Sequence, residues 1–367
     1  MKIIVFCLNI AYFFFKLLPV GNKVVFISRQ GNKPSSDFLA LAEQMKKDDP
    51  EVKTVLLCRT LGDGIANMVK YIPHMLVQMF HLATSKACVL DSYSIAVSCL
   101  KHKPSLKVLQ IWHGLGAFKK FAFSIIGKEE GSSRELAEGM HMHENYTAVI
   151  CSSEYCRPFF AEAFNVDPKK VLIAPLPIVD MLKSKSFVEE TRARILAKHP
   201  ELAGKKNILY APTFRKNDET ELQDMLNRLI NCVDYQNYNL IVSVHPLSKL
   251  QLDDPRIVVD RTFMSREYAC VADYAVTDYS ASIYEFGILD KKIYRFIFDI
   301  DEYDKGRGFY LDLKDLPGPG LRTPEELIAS IERDNYDLAK VRQFTRQFID
   351  LNIENNTEHI CSIIRNL

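Results

Sequence analysis

The 367-residue chain has no excess of charge of either sign: 47 Lys and Arg stand against 46 Asp and Glu, a net charge of +1. A general nucleic-acid binder carries a basic surplus, so that class is disfavoured and any anion site has to be local. Neither a G-x-G-x-x-G run nor a Walker A lysine loop occurs, which argues against a dehydrogenase and a P-loop ATPase. The nine cysteines are odd in number and form no C-x-x-C pair. They read as buried thiols of a reduced protein, not as a disulfide scaffold or a zinc site. No internal repeat and no low-complexity tract is visible. The apolar run at residues 3–15 is too short to span a bilayer. No small-residue cleavage site follows it, so it does not read as a signal peptide. Two readings stay open for it: a helix packed on the domain, or an interfacial helix resting on a membrane. The cluster Tyr12-Phe13-Phe14-Phe15-Lys16 favours the second.

What is present is a globular composition, 47% hydrophobic and 25% charged, in a chain too long for one ordinary core. Short apolar runs alternate with longer amphipathic stretches, the rhythm of βαβ units and parallel sheets. In the first half, strands are expected at 24–28, 54–57, 87–90, 108–112, 148–151 and 171–173, with helices at 37–47 and 157–164. Pro175-Leu176-Pro177 and the polar Lys183-Ser184-Lys185-Ser186 read as a domain joint. The rhythm restarts with strands at 207–210, 238–244, 256–259, 274–277 and 293–298, and helices at 219–233, 280–288 and 323–333. The tail from 338 to 366 reads as one or two amphipathic helices. The expected layout is an apolar, membrane-interfacial segment at 1–20, Rossmann-like domains at 21–182 and 183–337, and C-terminal helices at 338–367.

The chemistry gathers where strands end. In Gln110-Ile111-Trp112-His113-Gly114 a histidine closes an apolar run, and ligands of open α/β sheets collect at the carboxyl ends of strands. Gly114 is read as the residue that lets the backbone turn away or approach a substrate closely. Lys119 and Lys120 follow, and a proton-transfer group beside fixed positive charge suits work on a phosphate. His245 sits in a like place before Pro246, which bars it from helical geometry. It suits a base, or a cation that pairs with phosphate. In Tyr210-Ala211-Pro212-Thr213-Phe214-Arg215, the Thr213 hydroxyl and the Arg215 guanidinium can both address phosphate oxygens, unless the segment is a plain surface loop. In Thr277-Asp278-Tyr279-Ser280-Ala281-Ser282, Ser280 reads as an N-cap whose helix exposes free N–H groups to an anion. Ser282 adds a hydroxyl, and Glu285, one turn on, suits ribose hydroxyls or a polyol. A capped helix without a ligand is the bland alternative. Asp299, Tyr303, Arg307, Gly308, Tyr310 and Asp312 crowd a Gly-containing loop, and Arg307 between Gly306 and Gly308 reads as closing over an anion, unless this is an ordinary polar loop. Ser152 and Ser153 read as caps, with Glu154 beside them.

In this order these segments resemble the CDP-glycerol glycerophosphotransferase family, the teichoic-acid primases and polymerases of bacterial cell walls. The match runs from Gln110-Ile111-Trp112-His113-Gly114 with Lys119 or Lys120 through Ser152-Ser153-Glu154, Ala211-Pro212-Thr213-Phe214-Arg215, His245-Pro246 and Thr277-Asp278-Tyr279-Ser280. It ends in Arg307-Gly308-Phe309-Tyr310-Leu311-Asp312 with Pro317-Gly318-Pro319. The resemblance implies an α/β, GT-B-like fold with two Rossmann-like domains facing a cleft, the donor held mostly by the second. It implies transfer of glycerol phosphate from CDP-glycerol to a hydroxyl of a lipid-linked saccharide or polymer acceptor, with release of CMP. By the same resemblance His113 and His245 are the essential histidines, and Gly114, Lys119, Lys120, Thr213, Arg215, Asp278, Ser280, Ser282, Glu285 and Arg307 contact substrate. No metal ligand set and no tightly bound cofactor is implied, divalent-cation dependence stays open, and no nucleic-acid partner is implied. The enzyme is expected peripherally on the cytoplasmic face of the plasma membrane. Ala281 separates two serines that are often adjacent in the family, and Glu285 stands where an aspartate is common. The alternatives are a CDP-ribitol donor, a GT-B nucleotide-sugar glycosyltransferase, and a catalytically silent binding module.

Overall fold

Twelve short strands form two parallel sheets in the computed structural model, which describes residues 2–62, 64–128, 131–215 and 218–367. The chain divides into two compact units, Met1–Asp180 with Ile349–Leu367, and Met181–Phe348. Each is an α/β unit with its own six-stranded sheet.

The first unit holds β1 (Lys23–Ser28), β2 (Lys53–Cys58), β3 (Ala87–Leu90), β4 (Lys107–Gln110), β5 (Ala148–Cys151) and β6 (Val171–Ile173) in the order β2-β1-β3-β4-β5-β6. Strands buried on both faces read as continuous apolar runs, and Val24, Val25, Phe26 and Val89 are fully buried. The chain leaves β1 first to one side and then to the other, so the switch point lies between β1 and β3. Helix α1 (Lys2–Lys16) and helix α3 (Ile65–Thr84) flank this unit; between them in sequence α2 (Ser36–Asp48) is capped by Ser35, which accepts from the Phe38 N–H. α1 is fastened by one stripe. Tyr12 is fully buried with its hydroxyl 2.9 Å from His102 Nδ1, and Asn9 bonds the Cys99 carbonyl and the Lys101 N–H. Phe15 meets Phe80 of α3 edge to face. The outer stripe leaves Phe6, Ile10, Phe13 and Phe14 exposed, and α3 adds exposed Met68, Val69, Ile72 and Val77. Among the described residues, no helix is long and apolar enough to cross a membrane.

The second unit holds β7 (Lys206–Ala211), β8 (Tyr238–Val242), β9 (Ile257–Val258), β10 (Tyr274–Thr277), β11 (Lys292–Phe296) and β12 (Gly320–Leu321) in the order β12-β11-β10-β7-β8-β9. Here the switch point lies between β7 and β10. The helix Thr220–Cys232 places Leu222, Leu226, Leu229 and Ile230 on one face, against Ile208, Leu240 and Val242 of the sheet. Truncating Leu226 to Ala would cost about 2–5 kcal/mol by the usual transfer and cavity terms. The tail forms two helices, Leu338–Phe348 in the second unit and Asn356–Asn366 in the first. The first-unit helix is tied by Asp180, which accepts from the Asn356 and Thr357 N–H groups.

Several sequence expectations shift. The run at 108–112 ends as a strand at Gln110, that at 238–244 at Val242, and that at 293–298 at Phe296. The polar stretch 183–186, expected with residues 175–177 to be a domain joint, spans the end of the helix Ile178–Lys183 and the start of the helix Lys185–Lys198, and the units divide just before it, between Asp180 and Met181. Ser184 caps the second by accepting from the Phe187 N–H.

Candidate active site

In the first unit, the His113 turn is built by a left-handed residue. Ile111 still donates to the Leu90 carbonyl at 2.7 Å, but Trp112 turns to φ 61° and ends the ladder. Such a conformation costs a non-glycine residue about 1–3 kcal/mol. The Trp112 ring recovers this by stacking on Phe121 at 5.1 Å and meeting Phe164 edge-on at 5.3 Å. Trp112 also donates its N–H to Gln110 Oε1 at 2.9 Å. His113 is exposed and lies 4.1 Å from the Trp112 ring, centroid to centroid. Its Nδ1 is 2.8 Å from the Asp91 carbonyl oxygen. A carbonyl only accepts, so Nδ1 carries the proton of the neutral ring and Nε2 is the basic nitrogen. The reading of Gly114 as the turning residue is corrected: the left-handed positions are Trp112 and Gly116, and a Cβ on Gly114 would meet the Trp112 ring only at ordinary contact distance, 3.9 Å.

Lys119 and Lys120 are half-buried on the same loop, with Lys119 Nζ 5.8 Å from the Phe118 ring centroid. Ser153 accepts from the Cys156 N–H, and Glu154 pairs with Arg157 at 2.8 Å. Asp91 escaped the sequence reading. It follows β3 beside the switch point and is buried with one carboxylate oxygen lacking a partner. Burial pushes its pKa up to about 6, against the pull of the Ser28 and Ser92 hydroxyls.

In the second unit, the expected residues gather after β7 and β10, at the switch point where an open α/β sheet binds its ligand. Thr213 donates its N–H to both Asp278 oxygens, at 2.9 and 3.0 Å, and its hydroxyl to Oδ1 at 2.6 Å. Arg215 has a different position from the one its sequence context suggests. Its Nε and Nη2 grip Asp299 at 2.7 and 3.1 Å, Nη2 also reaches Asp278 at 2.9 Å, and Nη1 donates to the Thr213 carbonyl at 2.7 Å. The guanidinium lies 5.4 and 5.3 Å from the Tyr279 and Tyr303 rings, which stack on each other at 4.2 Å. Burial alone would lower the Arg215 pKa, but the charges and hydrogen bonds of Asp278 and Asp299 raise it instead. The arginine read as a phosphate ligand, and the aspartate read as a substrate contact, are therefore engaged with each other. Asp299, expected with Arg307 around the Gly-containing loop but not as a partner of Arg215, completes the set. Its sequence signals are its place three residues after an apolar strand and its nearness to the Gly-containing loop of Arg307.

His245 is exposed and stacks on Phe214 at 5.1 Å. Its Nδ1 accepts the Leu247 N–H at 3.2 Å, so the neutral ring carries its proton on Nε2. Burial lowers its pKa, with Glu219 pulling the other way. Glu219 also shapes the loop by accepting from Ser248 Oγ at 2.8 Å and Lys249 N–H at 2.7 Å. The two histidines thus have opposite polarity: His113 presents a basic Nε2, His245 an Nε2–H.

The expectation that Ser280 is the helix cap is corrected. The helix is Ser282–Ile288, with Ala281 at the cap position, and Ser280 Oγ accepts from the Ser282 N–H at 3.3 Å and hydroxyl at 2.9 Å. Glu285 pairs with Arg266 at 3.3 Å. Arg307 is half-buried at the end of the helix Ile300–Gly306, before left-handed Gly308. Arg295 is buried and holds the Leu313 and Gly318 carbonyls. Gly318 is obligatory: φ is 80° and a Cβ would fall 1.9 Å from the Ile293 oxygen. Among the described residues, no group of three or more His, Cys, Asp or Glu is arranged to hold a metal ion.

The family described as CDP-Glycerol:Poly(glycerophosphate) glycerophosphotransferase matches residues 10–366. The chain is 30% identical over 361 residues to the teichoic acid ribitol-phosphate primase of Bacillus spizizenii, covering 95% of this chain and 92% of that protein. It is 25% identical over 303 residues to the teichoic acid glycerol-phosphate primase of Bacillus subtilis, covering 80% and 77%. The solved structure of the wall teichoic acid polymerase TagF superposes with a TM-score of 0.73 at 23% identity, covering 100% of this chain and 94% of that one. At that identity the likeness establishes the fold, a GT-B-like pairing of parallel α/β units.

Proposed function

The chain belongs to the CDP-glycerol:poly(glycerophosphate) glycerophosphotransferase family and is a transferase, and from that premise we propose that it moves glycerol phosphate from CDP-glycerol to a hydroxyl of a lipid-linked cell-wall or capsule glycopolymer acceptor. The acceptor oxygen attacks the phosphorus that bears glycerol, a new P–O bond forms, the bond to the bridging oxygen breaks, and CMP leaves. The observation that carries this reading is the opposite polarity of the histidines. His113 Nε2 takes the acceptor proton, since Asp91 occupies its other nitrogen. The His245 Nε2–H donates to phosphate oxygens as charge builds on the leaving group. Thr213 and Ser280, held after β7 and β10, line the phosphate site. Arg215, Asp278 and Asp299 form a strut that holds Thr213 there through Asp278 and Arg215. Positioning and electrostatics supply the catalysis, with no covalent enzyme intermediate.

A ribitol donor is the second reading, favoured by the 30% identity over 92% of a ribitol-phosphate primase. The exposed outer faces of α1 and α3 support peripheral membrane attachment, where a lipid-linked acceptor resides. Incubation with CDP-glycerol, CDP-ribitol or a UDP-sugar plus a lipid-linked saccharide tests the assignment. CMP released from one CDP-alditol is expected, and the more active of the two names the alcohol. UDP release, or turnover unchanged in His113→Ala, would sink it.

A further inference from the structure

Beneath the His113 turn lies a closed polar network that no substrate-facing role explains. Gln110, Tyr146 and His143 are all buried. Gln110 Nε2 lies 3.2 Å from the Ser92 carbonyl and 3.1 Å from the Tyr146 hydroxyl, while its Oε1 accepts the Trp112 N–H at 2.9 Å. The directions of the amide's own bonds are forced. An amide NH2 only donates, so Tyr146 accepts from it, and the same hydroxyl lies 2.9 Å from His143 Nδ1. The Ser92 carbonyl only accepts, which fixes the amide with its oxygen toward Trp112.

The amide therefore joins the two backbone segments that define His113. One is Trp112, whose left-handed backbone precedes the histidine. The other is the Asp91–Ser92 turn, whose Asp91 carbonyl holds the histidine's Nδ1. Losing either tether frees one segment against the other.

We propose that Gln110 is the positioning residue of His113: it holds Trp112 and the Asp91–Ser92 turn together, and so keeps the His113 ring in the tautomer that exposes a basic Nε2. Tyr146 completes the holder by accepting from Gln110, and His143 by bonding Tyr146 and meeting the Trp112 ring edge-on at 6.4 Å. The inference rests on the reading of His113 as proton acceptor, but its main readout does not need turnover.

The test uses the full chain labelled with 15N-histidine, with the His113 signal identified by its absence in His113→Asn. Wild type should show His113 protonated at Nδ1, the minority tautomer of free imidazole. Gln110→Met keeps the length and removes every hydrogen bond. It should shift His113 toward the Nε2–H tautomer and lower kcat about 100-fold, as misplaced catalytic groups do, with CDP-glycerol affinity within about twofold of wild type. Should Gln110→Met fail to fold, Tyr146→Phe, which removes one hydroxyl, should move both readouts the same way by less. An unchanged Nδ1–H signal overturns the proposal whether or not kcat falls. A shifted tautomer with wild-type kcat leaves the holder in place and refutes His113 as the base.

Discussion

Arg215 decides between two accounts of the second-unit site. If it were a phosphate ligand, its removal would weaken donor binding and leave the fold alone. The structure makes it a strut, with an 11%-exposed guanidinium bridging carboxylates that are 0% and 11% exposed. Arg215→Ala would leave both carboxylates buried and uncompensated. Breaking a buried pair in this way costs about 3–5 kcal/mol, mostly from the stranded charge. In a unit of this size each kcal/mol shifts Tm by about 2–4 °C, so a fall of roughly 6–20 °C is expected. Arg215→Lys keeps the charge without the planar fork that serves Asp278, Asp299 and the Thr213 carbonyl together, so it should melt in between. Arg215→Met with Asp299→Asn should recover part of the loss, since one stranded charge is removed as well. Differential scanning calorimetry of the ligand-free variants supplies the Tm, and titration with CDP-glycerol supplies the affinity. An Arg215→Ala protein that melts within about 2 °C of wild type yet no longer binds CDP-glycerol would refute the strut and restore the guanidinium to the phosphates.

Two further outcomes follow from the first unit. Burial pushes the His143 pKa down to about 3 from its ordinary 6.5. Only the unfolded chain takes up this proton between those values, so stability is lost as pH falls from 6.5 toward 3, at about 1.4 kcal/mol per pH unit. At pH 5 that amounts to about 2 kcal/mol. Asp91 acts in the opposite direction, because its raised pKa lets the folded state gain protons first. The measure is therefore the difference in urea unfolding between wild type and His143→Phe at pH 7 and pH 5, where Asp91 cancels; equal acid sensitivity of the two proteins would exclude the effect. On α1, Phe13 is 55% and Phe14 65% exposed. If both enter a bilayer interface, each contributes about 1.5–3 kcal/mol. Phe13→Glu with Phe14→Glu should then weaken sedimentation with anionic vesicles by roughly 10²–10⁴-fold and leave Tm unchanged. Equal sedimentation of variant and wild type would remove α1 from the membrane face.

The strands were legible because parallel strands buried on both faces leave unbroken apolar runs, as at 24–28, 87–90 and 274–277. Helix α3 was not. Its apolar residues surround it, several stay exposed, and Pro73 interrupts it, so no single stripe marks a core face. The helix Lys185–Lys198 was hidden for the opposite reason: it buries only Thr191 and Ile195, so its polar sequence shows no apolar stripe. β12, two residues long, carries too few positions for any period to show.

For the site, strand ends told where chemistry collects but not which partner each side chain takes. Arg215 and Asp278 each have the type and place of a substrate ligand. Their engagement with each other depends on β7 and β10 being neighbours in the sheet, although 63 residues separate the pair in sequence. Asp299 joins them from beyond β11 across 84 residues. Local pattern cannot reveal a pairing that the strand order creates. The same limit applied at Gly114, where the glycine attracted the turn and tryptophan took it. A left-handed tryptophan becomes tolerable only when the Gln110 amide oxygen meets its N–H and Phe121 and Phe164 pack on its ring. Residue type therefore located both histidines, but their tautomers, which separate a base from a hydrogen-bond donor, are set by backbone groups such as the Asp91 carbonyl and the Leu247 N–H, which side-chain chemistry does not encode.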